Sequence, residues 1–123
     1  MLKRSLSRWR SNVVSGRNLL LAVPLLAGLC VPAEATRYVI TIQGMAFGKA
    51  PALLRVGDTI VWRNMDILRH SATARSGAFD LDLAPGKEGE VTMKQTGPVD
   101  VFCRYHPTMK VKLMVAGAKG SAE

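Results

Sequence analysis

The chain has 123 residues, 48% of them hydrophobic and 21% charged, with a formal net charge of +8. That length suits one small domain, large enough for a single core. The basic excess forms no stripe along the body of the chain, where Lys and Arg stand singly among Asp and Glu, so a nucleic-acid surface is not expected.

Much of the excess belongs to the first 35 residues. Lys3, Arg4, Arg8, Arg10 and Arg17 are followed by an apolar run from Leu19 to Val31 and by Ala33-Glu34-Ala35. Basic, apolar and small-residue regions in that order predict a secretory signal peptide over residues 1–35, cleaved after Ala35. The apolar run is shorter than the roughly 20 residues that span a bilayer, so a retained N-terminal anchor is the weaker alternative. The domain then covers residues 36–123, with twelve basic and eight acidic side chains and a net charge of +4. Cleavage removes Cys30 and leaves Cys103 as the sole thiol. A lone thiol in an exported chain is buried, paired with another chain, or metal-bound.

Period-two alternation runs through the rest of the chain. Tyr38, Ile40 and Ile42 share one face of a first strand that Gly44 closes. Leu54 and Val56 lead to the turn signal Gly57-Asp58, and Asp58 to Asn64 alternates again with Ile60 and Trp62 on one face. His70 to Arg75 is a short strand with His70, Ala72 and Ala74 on one side. Ser76 to Lys87 holds two Gly and one Pro and is expected mostly as loop, with Asp80-x-Asp82 solvated within it. Glu90–Lys94, Val99–Cys103 and Lys110–Val115 complete the set, with a turn at Gly97-Pro98 and a frayed tail from Gly117 onward. About seven short strands with no helical period predict an all-β sandwich or barrel. Strand parity points Cys103 inward with Val99 and Val101, and points Met114 outward, opposite Val111, Leu113 and Val115.

The chemistry concentrates in Cys103-Arg104-Tyr105-His106-Pro107-Thr108-Met109. A Cys-x2-His-x2-Met spacing lets one turn aim thiolate, imidazole and thioether at one point. Cys, two His and a weak Met form the ligand set of a blue-copper electron-transfer site. His70 is the other histidine of the chain and supplies the fourth corner. Taken singly, His70 is a surface or core histidine, Cys103 a small buried hydrophobe and Met109 a gap-filler; their joint occurrence points to metal. Zinc gains little from a thioether, and no spacing recruits Asp66, Asp80 or Asp82 to it. A Cys-His nucleophilic dyad would need a pocket and an oxyanion motif, neither of which is visible, so an enzyme is not expected.

Gly57-Asp58-Thr59-Ile60-Val61-Trp62-Arg63-Asn64, His70-Ser71-Ala72-Thr73, and Val101-Phe102-Cys103 running into Cys-x2-His-Pro-x-Met resemble the cupredoxins, small blue copper proteins, and among them the amicyanins. The resemblance covers nearly all of residues 36–123. It implies a Greek-key β-sandwich with one Cu(I)/Cu(II) ion at one end, held by His70, Cys103, His106 and Met109. It further implies a monomeric periplasmic one-electron carrier, with no membrane span, serving a redox protein such as a dehydrogenase or a c-type cytochrome. A copper carrier without redox turnover is the alternative. Backbone N–H groups near Ser71 and Tyr105 are expected to bond the Cys103 sulfur. His106 is the expected electron port, within an apolar patch of Pro107 with Met45 or Phe47, ringed by Arg69, Arg104 and Lys110. Arg104-Tyr105 is bulky for the two positions between Cys and His, a departure from the family pattern.

Overall fold

The computed structural model describes Gly28 and residues 34–120. The expected signal peptide, apart from Gly28, Glu34 and Ala35, lies outside the described residues. Among those described there is no helix long and apolar enough to cross a membrane.

Among the described residues nine strands make two sheets. They are β1 (Arg37–Gln43), β2 (Ala46–Phe47), β3 (Leu54–Arg55), β4 (Thr59–Asn64), β5 (His70–Ala74), β6 (Asp80–Leu83), β7 (Glu88–Thr92), β8 (Gly97–Phe102) and β9 (Lys110–Ala116). One sheet has the order β2-β1-β4-β7 and the other β3-β9-β8-β5-β6. The non-consecutive neighbours β1/β4, β4/β7, β5/β8 and β3/β9 are crossovers of the Greek-key kind. β1 pairs with β4, and β3 with β9, in parallel; the remaining pairs are antiparallel.

The sandwich interior follows from the alternation. Ile40 and Ile42 of β1, Ile60 and Trp62 of β4, Ala72 of β5, Val101 of β8 and Leu113 and Val115 of β9 form one buried cluster. Trp62 packs edge-on to Phe47, 5.5 Å between ring centroids, and at a tilt to Phe79 at 6.3 Å. Cys103 and Met109 belong to this cluster, so the turn after β8 is rooted in the core. Met114 points outward, as parity requires.

Four expectations need correction. Asp80–Leu83 is a strand, β6, because its Asp/Leu alternation pairs with His70–Thr73 despite the flanking Gly and Pro. Ala46–Phe47 adds a two-residue strand that closes a hairpin with β1. Gly97-Pro98 lies within β8, paired with Val115 and Met114, and is no turn. The chain beyond β9 is tied down as far as Lys119, whose Nζ donates to Thr36 Oγ1, while Arg55 donates to the Gly117 carbonyl.

The Gly-Asp signal has a structural role. Gly57 takes φ +98°, a conformation open to glycine. Asp58 is buried, and its carboxyl accepts the N–H groups of Thr36 and Arg55, each at 2.8 Å. It joins the start of β1 to the β3–β4 turn. Asp58→Ala should lower the unfolding free energy by about 3 kcal/mol or more, from two such bonds at roughly 1.5–3 kcal/mol each. Asp58→Asn should lose less, and denaturant titration compares the two; equal stability of wild type and Asp58→Ala would contradict this role.

A candidate metal centre

The four expected ligand side chains come from two neighbouring strands and one turn. His70 opens β5, Cys103 follows β8 directly, and His106 and Met109 lie in the turn that leads to β9. Within that turn Cys103 N–H donates to the Met109 carbonyl at 3.2 Å, and Met109 N–H to the His106 carbonyl at 2.9 Å. The turn therefore closes on itself and brings Met109 back beneath Cys103. Met109, Cys103 and His70 are buried; His106 is half-buried.

The loop before His70 is organised by Asn64, the last residue of β4. Asn64 is fully buried; its amide donates to the carbonyls of Leu68 (2.7 Å) and Leu83 (2.9 Å), and its Oδ1 accepts Asp66 N–H (2.9 Å). These three bonds use most of what an amide side chain offers, which explains why Asn stands at this buried position. Asp66, placed by that loop, receives Nε2 of His70 at 2.8 Å.

β5 is buried on both faces. His70, Ala72 and Ala74 face the core as alternation predicts, whereas Ser71 and Thr73 are covered by the ligand turn and β6. Ser71 Oγ accepts Arg104 N–H at 2.8 Å and shares a hydrogen bond with Thr73 Oγ1, which donates to Asp80. Asp80 also receives Arg104 Nε, while Asp82 receives Arg69 and the Tyr105 hydroxyl. The bulky Arg104-Tyr105 pair is thus docked on β6, and Asp80 and Asp82 are exposed strand residues that anchor it, not loop residues. Arg104 holds the Asp80 carboxyl low only after the Thr73 hydroxyl, the larger cause.

Sulfur and nitrogen atoms converge. Nδ1 of His70 and Nδ1 of His106 each lie 3.8 Å from Cys103 Sγ. The three ligand atoms fall within 4.8 Å of one another. The two imidazole rings are 5.0 Å apart at their centroids. With bonds of about 2.3 Å to thiolate and about 2.0–2.1 Å to imidazole, a trigonal centre separates sulfur from nitrogen by about 3.8 Å, the spacing observed. The donor set therefore fits a metal of the thiolate-imidazole class. Ser71 N–H donates to Cys103 Sγ at 3.3 Å, as expected, and the His106 N–H, next to Tyr105, also favours the thiolate.

The residues that sequence reasoning missed are Asp66, Asn64, Ser71 Oγ, Asp80 and Asp82. A signal existed for Asp66, since a carboxylate four positions before a ligand-type histidine is a recurrent way to orient the ring. The others make contacts that only the sheet pairing reveals.

No family model matches the chain. Over 96 residues it is 27% identical to the amicyanin of Paracoccus versutus, covering 73% of this chain and 71% of that one. The crystal structure of amicyanin from Paracoccus versutus superposes with a TM-score of 0.56 at 26% identity, over 70% of this chain and 85% of that chain. The Cu(I) form of a methionine-to-alanine mutant of amicyanin gives a TM-score of 0.56 at 24% identity, over 68% and 85% of the two chains. That second likeness speaks for the fold alone.

The thiol of Cys103 carries a testable consequence. Burial opposes its ionisation, but the Ser71 N–H, the His70 and His106 rings and the His106 N–H outweigh burial and bring it from 9.0 down to about 6. A thiol depressed on folding contributes stability that is complete above the unfolded value and lost as pH falls through the folded one. The metal-free protein should therefore gain stability over Cys103→Ser as pH rises from 6 to 9. Denaturant midpoints across that range check this, and a pH-independent difference would refute it.

Proposed function

We propose that this chain, similar in sequence and fold to amicyanin, is a cupredoxin that acts as a periplasmic one-electron carrier, its copper ion held by His70, Cys103, His106 and Met109. The observation that carries the reading is the convergence of both Nδ1 atoms on Cys103 Sγ at equal distance, with Met109 buried in the same closed turn. When bound, copper supplies a Cu(I)/Cu(II) couple. The protein supplies rigidity. His70 is fixed by Asp66, Cys103 by Ser71, and the turn by Arg104 and Tyr105 on β6. A ligand cage that cannot relax between oxidation states keeps the barrier to electron transfer low. Periplasmic placement rests on the leader and not on the fold.

His106 is the ligand with an edge at the surface, which makes it the electron port. Its surroundings differ from the expected ring of charge. Arg69 is paired with Asp82 and Arg104 with Asp80, so these two cations are neutralised and Lys110 remains. Phe47 is partly buried, packed edge-on against Trp62. Met45, Met65, Ile67 and Leu68 are exposed on the two loops at the His70 end of the sandwich, and Pro107 is exposed beside His106. Contact with a redox protein, a dehydrogenase or c-type cytochrome, is therefore apolar with weak electrostatic guidance. The enclosure of three of the four ligands speaks against a copper carrier that hands its metal on.

Adding Cu(II) to the purified protein should produce an intense thiolate-to-copper absorption band and a narrow copper hyperfine splitting in EPR. Met109→Ala should alter both, and Met114→Ala, on the exposed face of β9, neither. Absence of the band in the wild type would end the copper reading.

The rate of electron exchange with a redox partner should fall only slightly as salt is raised, because exposed charges around the port nearly cancel. Ile67→Lys, at a side chain 90% exposed, should slow it at least tenfold with little change in stability. A steep salt dependence with no effect of Ile67→Lys would overturn the apolar docking model.

A further inference from the structure

Among the described residues, every arginine but one has its guanidinium bound. Arg37 and Arg63 meet Glu90 and Glu88, Arg69 and Arg104 meet Asp82 and Asp80, and Arg55 donates to the Gly117 carbonyl. Arg75, just beyond β5, is the exception. Its exposed guanidinium binds no carboxylate or carbonyl of the described residues; it lies over the Phe102 ring, 4.4 Å from the centroid. The Arg75 backbone is tied as well, its N–H donating to the Asp100 carbonyl at 2.9 Å. Contact with the ring holds the cationic head in place without using its N–H donors.

Arg75 lines a hollow of about 400 Å³ together with Asp100, Lys110 and Lys112. The β8–β9 register explains the grouping. Phe102 pairs with Lys110 and Asp100 with Lys112, and alternation turns these four side chains away from the core, opposite Val101 and Leu113. Lys112 Nζ reaches the Asp100 carboxylate at 3.5 Å, so one of the three cations is balanced. Arg75 and Lys110 are not, and the hollow carries two surplus positive charges. A concave surface lined by charge of one sign raises the local concentration of the opposite ion. A guanidinium fork matches two oxygens of one phosphate group, and lysines add point charges beside it. Two surplus charges suit a dianion better than a single carboxylate.

We propose that the hollow between Arg75 and the β8–β9 pair is a binding site for a phosphate-type dianion, with the Arg75 guanidinium as its fork and Lys110 and Lys112 as flanking charges. Inorganic phosphate and the headgroup of phosphatidic acid both carry that chemistry. The site needs no metal, so it stands apart from the copper reading above.

The test titrates inorganic phosphate into the purified protein at constant ionic strength, above the second pKa of phosphate, and follows the backbone amides by NMR. Saturable shifts should centre on Arg75, Asp100, Phe102, Lys110 and Lys112. Arg75→Gln should weaken phosphate binding about tenfold or more, because the charged fork is lost, and Lys110→Gln should weaken it as well. Lys94→Gln removes the same charge from an exposed position outside the hollow and should leave the affinity nearly unchanged, since solvent and salt screen a distant surface charge. Shifts that never saturate, or an equal loss in Lys94→Gln and Arg75→Gln, overturn the proposal. Should Arg75→Gln fail to fold, the comparison of Lys110→Gln with Lys94→Gln decides it. Cosedimentation with phosphatidylcholine vesicles containing phosphatidic acid separates the two sources. Sedimentation that Arg75→Gln abolishes supports the headgroup, and phosphate binding without sedimentation supports the free ion.

Discussion

The site depends on Ser71 gripping the ligand turn twice. Its N–H reaches Cys103 Sγ and its hydroxyl receives Arg104 N–H, so one residue of β5 holds both the thiol and the first peptide beyond it. Beside that seam, the sheet pairing between β5 and β8 is short, Thr73 with Phe102 and Ala74 with Val101. Burying Ser71 between two such partners is favourable because both of its polar groups are satisfied; either partner removed would leave an unpaired group inside.

From that seam the other constraints spread outward. Asn64 shapes the loop before His70, Asp66 fixes the ring, and Asp80 and Asp82 receive Arg104, Tyr105 and Arg69. Each device is a side chain of modest strength, and the exposed ion pairs among them contribute little to global stability. Their joint effect is geometric. They determine where the sulfur and two nitrogens stand, while the hydrophobic cluster around Trp62 supplies the free energy that keeps the sandwich closed.

Much of this was legible in the residues. Alternation located β1, β4, β5 and β9 nearly to the residue and β8 without its first two residues, and parity placed Cys103 inside and Met114 outside. The candidate ligands were read from residue types and spacing, and the fold brings the ligand atoms of His70, Cys103 and His106 within 4.8 Å of one another. What escaped was non-local. β6 was hidden by Gly77 and Pro85, which read as loop although Asp80 to Leu83 alternates cleanly. Asp66 serves a hairpin tip more than twenty residues away, and its role needs the β1–β4 pairing that sets Met65 against Ile42. The charged rim around His106 was misjudged because the acids that neutralise Arg69 and Arg104 sit on the strand taken for a loop.

The crossover pairings also govern the order in which the protein can come into being. β1 waits for β4, β3 waits for β9, and Lys119 meets Thr36 across almost the whole length of the sandwich domain. Such long sequence separations make folding slow compared with a protein of local contacts. A chain emerging with its N-terminus first therefore holds β3 unpaired until its last strand has been made. His70 is synthesised well ahead of Cys103, His106 and Met109, and before they arrive its partner is the nearby Asp66. The candidate metal centre is accordingly one of the last features to form, and a nascent chain stalled before the end of β8 lacks Cys103, His106 and Met109 altogether.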